Sequence, residues 1–236
     1  MDTTKRLLAL DVFRGMTIAG MILVNNPGDW GTVYAPLLHA DWHGCTPTDW
    51  VFPFFLFIVG VAIPLALGRR KEAGQDRAAI FKKILFRTVA IFVIGLLLHL
   101  IPKFNFEYMR IPGVLQRIAL VYGACATIFM FSDWKRQLWI GTGLLLLYWA
   151  LMALVPVPGG YPPNLDAETN LGAWLDRTIF TTNHLWSQAK TWDPEGLLST
   201  MPAIVTGISG MLTGEWIKTN RNHYEKLTGI FGVGVL

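Results

Sequence analysis

The chain has 236 residues, 53% of them hydrophobic and 15% charged, with a formal net charge of +4. A soluble domain carries about 25% charged residues, so the composition excludes an ordinary water-soluble globule. The basic residues sit in short clusters between apolar runs, which argues against nucleic-acid binding.

A membrane-crossing helix needs roughly 20 largely apolar residues. In chain order such runs fall at 7–25, 50–67, 84–101, 114–131, 138–155 and 197–217, and a seventh opens near Leu227. The expected fold is all-α: a polytopic transmembrane helical bundle of about six full spans plus the start of a seventh, in one domain over 1–236. The segment from Leu227 to Leu236 is too short to cross a bilayer at 1.5 Å per residue, so the chain reads as cut short at its C-terminus. The first run contains Asp11 and Arg14 and no small-residue cleavage site, so it reads as retained rather than as a cleaved leader.

Orientation follows from Lys and Arg in the short loops. One set of ends holds Lys5, Arg6, Arg69, Arg70, Lys71, Arg77, Lys82, Lys83, Lys135, Arg136, Lys218, Arg221 and Lys226. The alternate set holds Lys103, Arg110, Arg177 and Lys190. Thirteen against four places the N-terminus in the cytoplasm and the 26–48 and 156–196 loops outside. The long 156–196 loop opens with Pro and Gly turns, continues as an amphipathic stretch from Leu171 to Trp186, and carries Trp174, Trp186 and Trp192, residues suited to a membrane interface. Gly210 and Gly214 form a small-xxx-small pair that predicts close helix packing. Cys45 lies in a loop and Cys125 in an apolar run, so neither a disulfide framework nor a redox compartment is indicated.

The polar residues inside or beside the spans are the candidates for chemistry. Asp11 and Arg14 are three apart on one helix face and can pair. The pair either neutralises itself or leaves Arg14 to bind an anionic ligand. The first outer loop, VNNPGDWGTVYAPLLHADWHGCTPTDWVFPFF, contains Asn25, Asp29, His39, Asp41, His43 and Asp49 and no basic residue. Thr48 or Asp49 can cap the second span. The loose His39–His43 spacing makes a poor metal site, so no metal is expected. A histidine flanked by carboxylates suits a general base, because imidazole titrates near neutral pH. In RIPGVLQRIALVY, Arg110 and Arg117 read equally as partners of outer acids such as Asp193 and Glu195 or as a polar pocket wall. In WDPEGLLSTMPAIVTG, Asp193 or Pro194 is expected to start the sixth span, with Glu195 in its first turn. The alternative is a carboxylate pair that binds a cationic amine.

Four motifs in order, LDVFRG with VNNPG, HADWHGCTPTDWVFPFFLFIVG, RIPGVLQRIALVY and WDPEGLLSTMPAI, resemble the heparan-α-glucosaminide N-acetyltransferase family over nearly the whole chain. Members include a lysosomal enzyme and bacterial membrane proteins, and they continue with further spans beyond the DPEG helix. The resemblance implies an integral membrane protein, here expected in a bacterial inner membrane, that moves acetyl from cytoplasmic acetyl-CoA to an amino sugar on the far side. The family's essential histidine falls on His39, its asparagine at the end of the first span on Asn25, and the aspartate before the F-P pair on Asp49. The lysosomal member has Asn where this chain has His43, so His43 is not expected to be essential.

On this reading Arg14, Arg69 and Arg70 hold the phosphates of acetyl-CoA, His39 acts as base or acetyl carrier, and Asn25 donates to the oxyanion. Asp193, Glu195, Arg110 and Arg117 line the acceptor side. The implied partners are an amino-sugar acceptor and the lipid bilayer, and small residues on a helical surface would permit a homodimer. A multi-span transporter is the alternative from another class. An O-acyltransferase shares the LDxxRG-like first span but not the H-A-x-W-x-G and DPEG motifs.

Overall fold

Helix positions follow from the apolar runs and from the polar residues that punctuate them. The computed structural model describes residues 7–102 and 104–235, so Lys5, Arg6 and Lys103 of the charge count lie outside the described residues. Among these, eight α-helices form: α1 Leu8–Asn25, α2 Val51–Glu72, α3 Arg77–Leu100, α4 Val114–Phe131, α5 Trp134–Leu154, α6 Leu171–Phe180, α7 Thr200–Lys218 and α8 His223–Val235. Side chains satisfy the orphan N–H groups at several starts. Asp76 accepts from the Ala78 N–H at 2.9 Å to begin α3, and Asp133 accepts from the Arg136 N–H at 3.1 Å to begin α5. Asn170 does the same for α6, accepting from the Ala173 N–H at 2.9 Å.

Five helices, α1 to α5, are long and apolar enough to cross a membrane, with a 3₁₀ turn at Pro47–Trp50 leading into α2. The expected sixth span is α7, which has 19 residues. Thr200, Thr206, Ser209, Thr213 and Glu215 make it less apolar than the other five. Its position accounts for that composition, since α2, α4 and α5 pack around it and little of it faces outward. The expected start of a seventh span near Leu227 falls inside α8.

Two kinds of helix result. In α4 half of the span is buried, against 11% in α1 and α3. The outer helices therefore present large apolar side chains such as Phe86 and Trp139, as a lipid-facing surface does. At the centre α2 and α7 touch backbone to backbone. A Cβ added to Gly60 would collide with the Gly207 carbonyl, and one added to Gly210 would collide with that of Phe57. Gly214 lies equally close to Val61 and Pro64. The Gly210–Gly214 pair thus serves close packing within the bundle.

Two helix starts predicted from capping residues differ from the observed ones. α7 begins at Thr200 rather than at Asp193 or Pro194. Residues 193–196 instead form a turn, in which the Gly196 N–H donates to the Asp193 carbonyl at 3.0 Å and the Glu195 N–H donates to Asp193 Oδ1 at 2.9 Å. Thr46 caps the 3₁₀ turn that leads into α2, with Asp49 as its reciprocal partner three residues on, and α2 itself starts after Trp50 without a side-chain cap, so neither Thr48 nor Asp49 caps it. The amphipathic stretch from Leu171 to Trp186 is helical only to Phe180, followed by a 3₁₀ turn at Thr182–His184.

Candidate active site

The His39–Asp49 pair stands where the first loop returns to α2. His39 Nδ1 lies 2.6 Å from Asp49 Oδ1. Asp49 is fixed from the other side. Its Oδ2 accepts the backbone N–H groups of Thr46 at 2.8 Å and Ala40 at 3.2 Å, and lies 3.1 Å from the Thr46 hydroxyl. That hydroxyl also donates to the Leu38 carbonyl at 2.7 Å. One carboxylate thus closes the capping box of the 3₁₀ turn, ties down residues 38–40 and orients the ring. The His39 side chain is 70% exposed, while Asp49 is 26% exposed. The tautomer follows from the partner: an acceptor carboxylate keeps the proton on Nδ1 and leaves Nε2 as the free acceptor.

The other polar residues of the first loop and its flanks differ in how they are engaged. Asn25, the last residue of α1, donates from Nδ2 to the Met21 carbonyl at 2.9 Å, which uses one of its two amide hydrogens. His43 meets only the edge of the Trp42 ring, at 6.4 Å. The Trp50 indole N–H points at Cys45 Sγ, 2.7 Å away.

A second polar cluster is buried. Arg110 donates from Nε to Asp193 Oδ2 at 2.9 Å and from Nη2 to Asp193 Oδ1 at 2.5 Å, and also to Glu195 Oε2. Asp193 is fully buried as a side chain, and Arg110 is 20% exposed. Burial disfavours the Arg110 charge, but the two carboxylates outweigh it and raise its pKa. Burial likewise raises Glu195, against the pull of Arg110 and Arg117. Arg117 makes no ion pair among the described residues. It donates to the Gly196 carbonyl at 3.0 Å and to the Ser199 hydroxyl, so it holds the turn before α7 instead of pairing with an outer acid.

Behind these arginines, His99 Nδ1 lies 3.0 Å from the Arg110 carbonyl, and Gly95 and Gly113 leave room for the buried Gln116. Sequence reasoning missed Asp176. It is buried on α6, accepts the Leu197 N–H at 2.9 Å, and burial pushes its pKa up to about 6. An acid on an amphipathic helix reads as solvated surface, and nothing local marks this one as internal.

Trp42 joins the two clusters. Its ring packs edge-on against Trp192 at 4.9 Å, Trp192 packs against Trp186 at 5.4 Å, and the Trp42 indole donates to the Leu165 carbonyl at 2.7 Å. The first loop, three residues past His39, is thereby docked on the second, one residue before Asp193. The proposed cofactor residues lie elsewhere. Arg14 pairs with Asp11 at 3.3 Å on α1, and Arg69 and Arg70 are exposed in the last turn of α2.

A bundle of apolar helices long enough to cross a membrane, capped by loops that hold a carboxylate-oriented histidine, defines an integral membrane protein with one candidate general base. The family profile described as heparan-alpha-glucosaminide N-acetyltransferase, catalytic, matches residues 6–159, and the chain belongs to that family. It is 28% identical to the heparan-alpha-glucosaminide N-acetyltransferases of Mus musculus and Homo sapiens, over 91% and 89% of this chain but 39% and 38% of theirs. It is also 28% identical to an uncharacterized 39.9 kDa protein from Bacillus acidopullulyticus, over 65% of this chain and 43% of that one. The chain therefore spans about two-fifths of the length of the curated relatives it matches.

Proposed function

We propose that this chain is the acetyl-transferring part of a transmembrane N-acetyltransferase, which takes acetyl from cytoplasmic acetyl-CoA and passes it to the amine of a glucosamine-type sugar on the opposite side. The observation that carries this reading is the exposed His39 ring held through Nδ1 by a fixed carboxylate, in a segment inside the family match. With Nδ1 protonated, Nε2 takes the proton of the attacking amine as the C–N bond forms on the thioester carbonyl. The C–S bond then breaks, and the departing thiolate takes up a proton. The second Nδ2 hydrogen of Asn25 is available to the oxyanion. A route through an acetyl-histidine begins from the same free Nε2.

In this reading α7 is the sixth crossing, the N-terminus is cytoplasmic, and His39 lies at the outer boundary. Arg14, Arg69 and Arg70 contribute positive charge toward the donor. Asp193, Glu195 and Arg110 engage one another, and Arg117 donates from Nη2 to the turn before α7 while its buried Nε has no partner among the described residues. They therefore shape the acceptor side as a rigid wall and leave few free groups to bind a cation. The test is to supply purified protein, in its full natural length, with labelled acetyl-CoA and a panel of amino sugars. Label on an amine is the expected result. Solute uptake by proteoliposomes without acetylation would instead establish a transporter.

A further inference from the structure

We infer that the end of the bundle opposite His39 carries a binding site for a phosphate ester, formed by Lys71, Arg77 and Arg136. α2 runs from Val51, just after the Asp49 turn, to Glu72 over 22 residues, so about 33 Å separates its two ends. At the far end a hollow of about 270 Å³ opens where the end of α2, the start of α3 and the α4–α5 link meet. Lys71, Arg77 and Arg136 line it, together with Ser132 and Asp133.

The three cations are held in different ways. Lys71 Nζ donates to the carbonyls of Phe129 and Ser132 at 2.6 and 2.7 Å, closing the end of α4 and leaving one of its three hydrogens. Arg136 meets Asp133 only loosely, at 3.8 Å, and the Asp133 carboxylate is already occupied with capping α5. Arg77 makes no ion pair among the described residues. Among the residues lining the hollow, three cations stand against one engaged carboxylate, and even with Glu215 near Lys71 a positive excess remains in a concave site. The guanidiniums of Arg77 and of the loosely held Arg136 present N–H forks that match the geometry of phosphate oxygens. Phe131 and Trp134, exposed beside the hollow, provide the apolar rim of a site at a membrane boundary.

Two sources present this chemistry: the phosphates of coenzyme A and the headgroup of an anionic phospholipid. The first rests on the function proposed above, and the second does not. The test uses the double variant Arg77→Gln/Arg136→Gln, which spares Lys71 because that residue closes α4. Wild type and variant are purified in detergent and titrated with coenzyme A, dephospho-coenzyme A, dioctanoyl phosphatidylglycerol and dioctanoyl phosphatidylcholine, with binding read by thermal shift.

If the donor occupies the site, coenzyme A binds the variant roughly tenfold or more weakly, while phosphatidylglycerol binding is unchanged. If a lipid headgroup occupies it, phosphatidylglycerol stabilisation disappears and coenzyme A binding is unaltered. The second result would support the site even in a protein that transfers no acetyl group. Unchanged affinity of the folded variant for both phosphate ligands, or binding of neither by the wild type, would overturn the proposal. A variant that melts well below the wild type is replaced by Arg136→Gln alone, which must still lose at least severalfold.

Discussion

The two polar clusters at the His39 end use carboxylates in opposite ways. Asp49 lies at the surface and accepts two backbone N–H groups while facing a ring that is 70% exposed. Asp193 is fully buried and spends its charge on Arg110. The first arrangement orients a group that something else can reach, and the second fastens the 156–196 loop to the start of α4. Charge near a membrane boundary is therefore not a sufficient mark of chemistry. What separates the two sites is whether a reactive atom is left unengaged, and the only ring nitrogen of His39 with no partner fixed on it is Nε2.

The largest expected effect tests the exposed site. His39→Ala should lower acetyl transfer by about 10²–10⁴-fold, the usual contribution of a positioned base. Stability should stay within roughly 0.5 kcal/mol, as for other surface positions. His43→Ala, which loses only an edge contact with Trp42, should keep most of its activity. Transfer assays on both purified variants, with matched melting curves, decide this. Near-normal turnover by a folded His39→Ala protein would remove the base assignment.

The buried site should show the reverse pattern. Asp193→Ala strands Arg110 against Glu195 alone in a desolvated position, and breaking a buried pair costs about 3–5 kcal/mol. The expected outcome is poor yield and a clearly lower melting temperature in detergent. A variant that melts like the wild type would show that Arg110 is solvated and that the cluster is open to ligands.

Asp176 tests burial by pH. Its folded pKa is raised to about 6 from 3.8, with burial as the main cause. The folded state therefore binds a proton more tightly than the unfolded state. Its contribution is fully present below about pH 4 and is lost as pH rises through about 6, to the extent of roughly 3 kcal/mol. Asp176→Asn keeps an acceptor for the Leu197 N–H and should remove that loss, making the variant the more stable protein at pH 7. Glu195 shifts in the same direction, so the readout is the difference between wild type and variant across pH 5 to 7. Parallel curves would mean that Asp176 is hydrated.

The spans were legible because the lipid environment imposes a local rule on each of them. Apolar runs placed α1 to α5 within a few residues, except that α3 begins at Arg77 rather than Ile84. Arg77, Lys82 and Lys83 masked its first two turns. The His39–Asp49 pair was half legible. The resemblance marked both residues, but their contact depends on a ten-residue loop closing on itself. The partner of Arg110 lies 83 residues away, and nothing in RIPGVLQR distinguishes Arg110, which pairs, from Arg117, which holds a turn. Asp176 was illegible for the same reason: its burial depends on Gly196, whose missing side chain lets the Asp176 carboxylate approach.

The smallest expected effect concerns what joins the clusters. Trp42 is three residues beyond His39, and Trp192 is one before Asp193. Their rings meet at 4.9 Å, and the Trp42 indole holds the Leu165 carbonyl. If the rigid buried cluster steadies the exposed one, the connection runs through this indole. An aromatic pair contributes about 0.5–1.5 kcal/mol beyond its burial, so Trp42→Ala should cost little global stability. The His39 loop, however, should lose its fixed seat on the second loop. Loops of low local stability open and become accessible to protease while the core stays closed. Limited proteolysis should therefore cut Trp42→Ala between residues 26 and 46 at least severalfold faster than the wild type, with melting changed by only a few degrees. Trp42→Phe keeps the ring contact but not the hydrogen bond to Leu165, and should fall between the two. Equal cleavage rates in all three proteins would mean that Asp49 alone positions His39 and that the two clusters act independently.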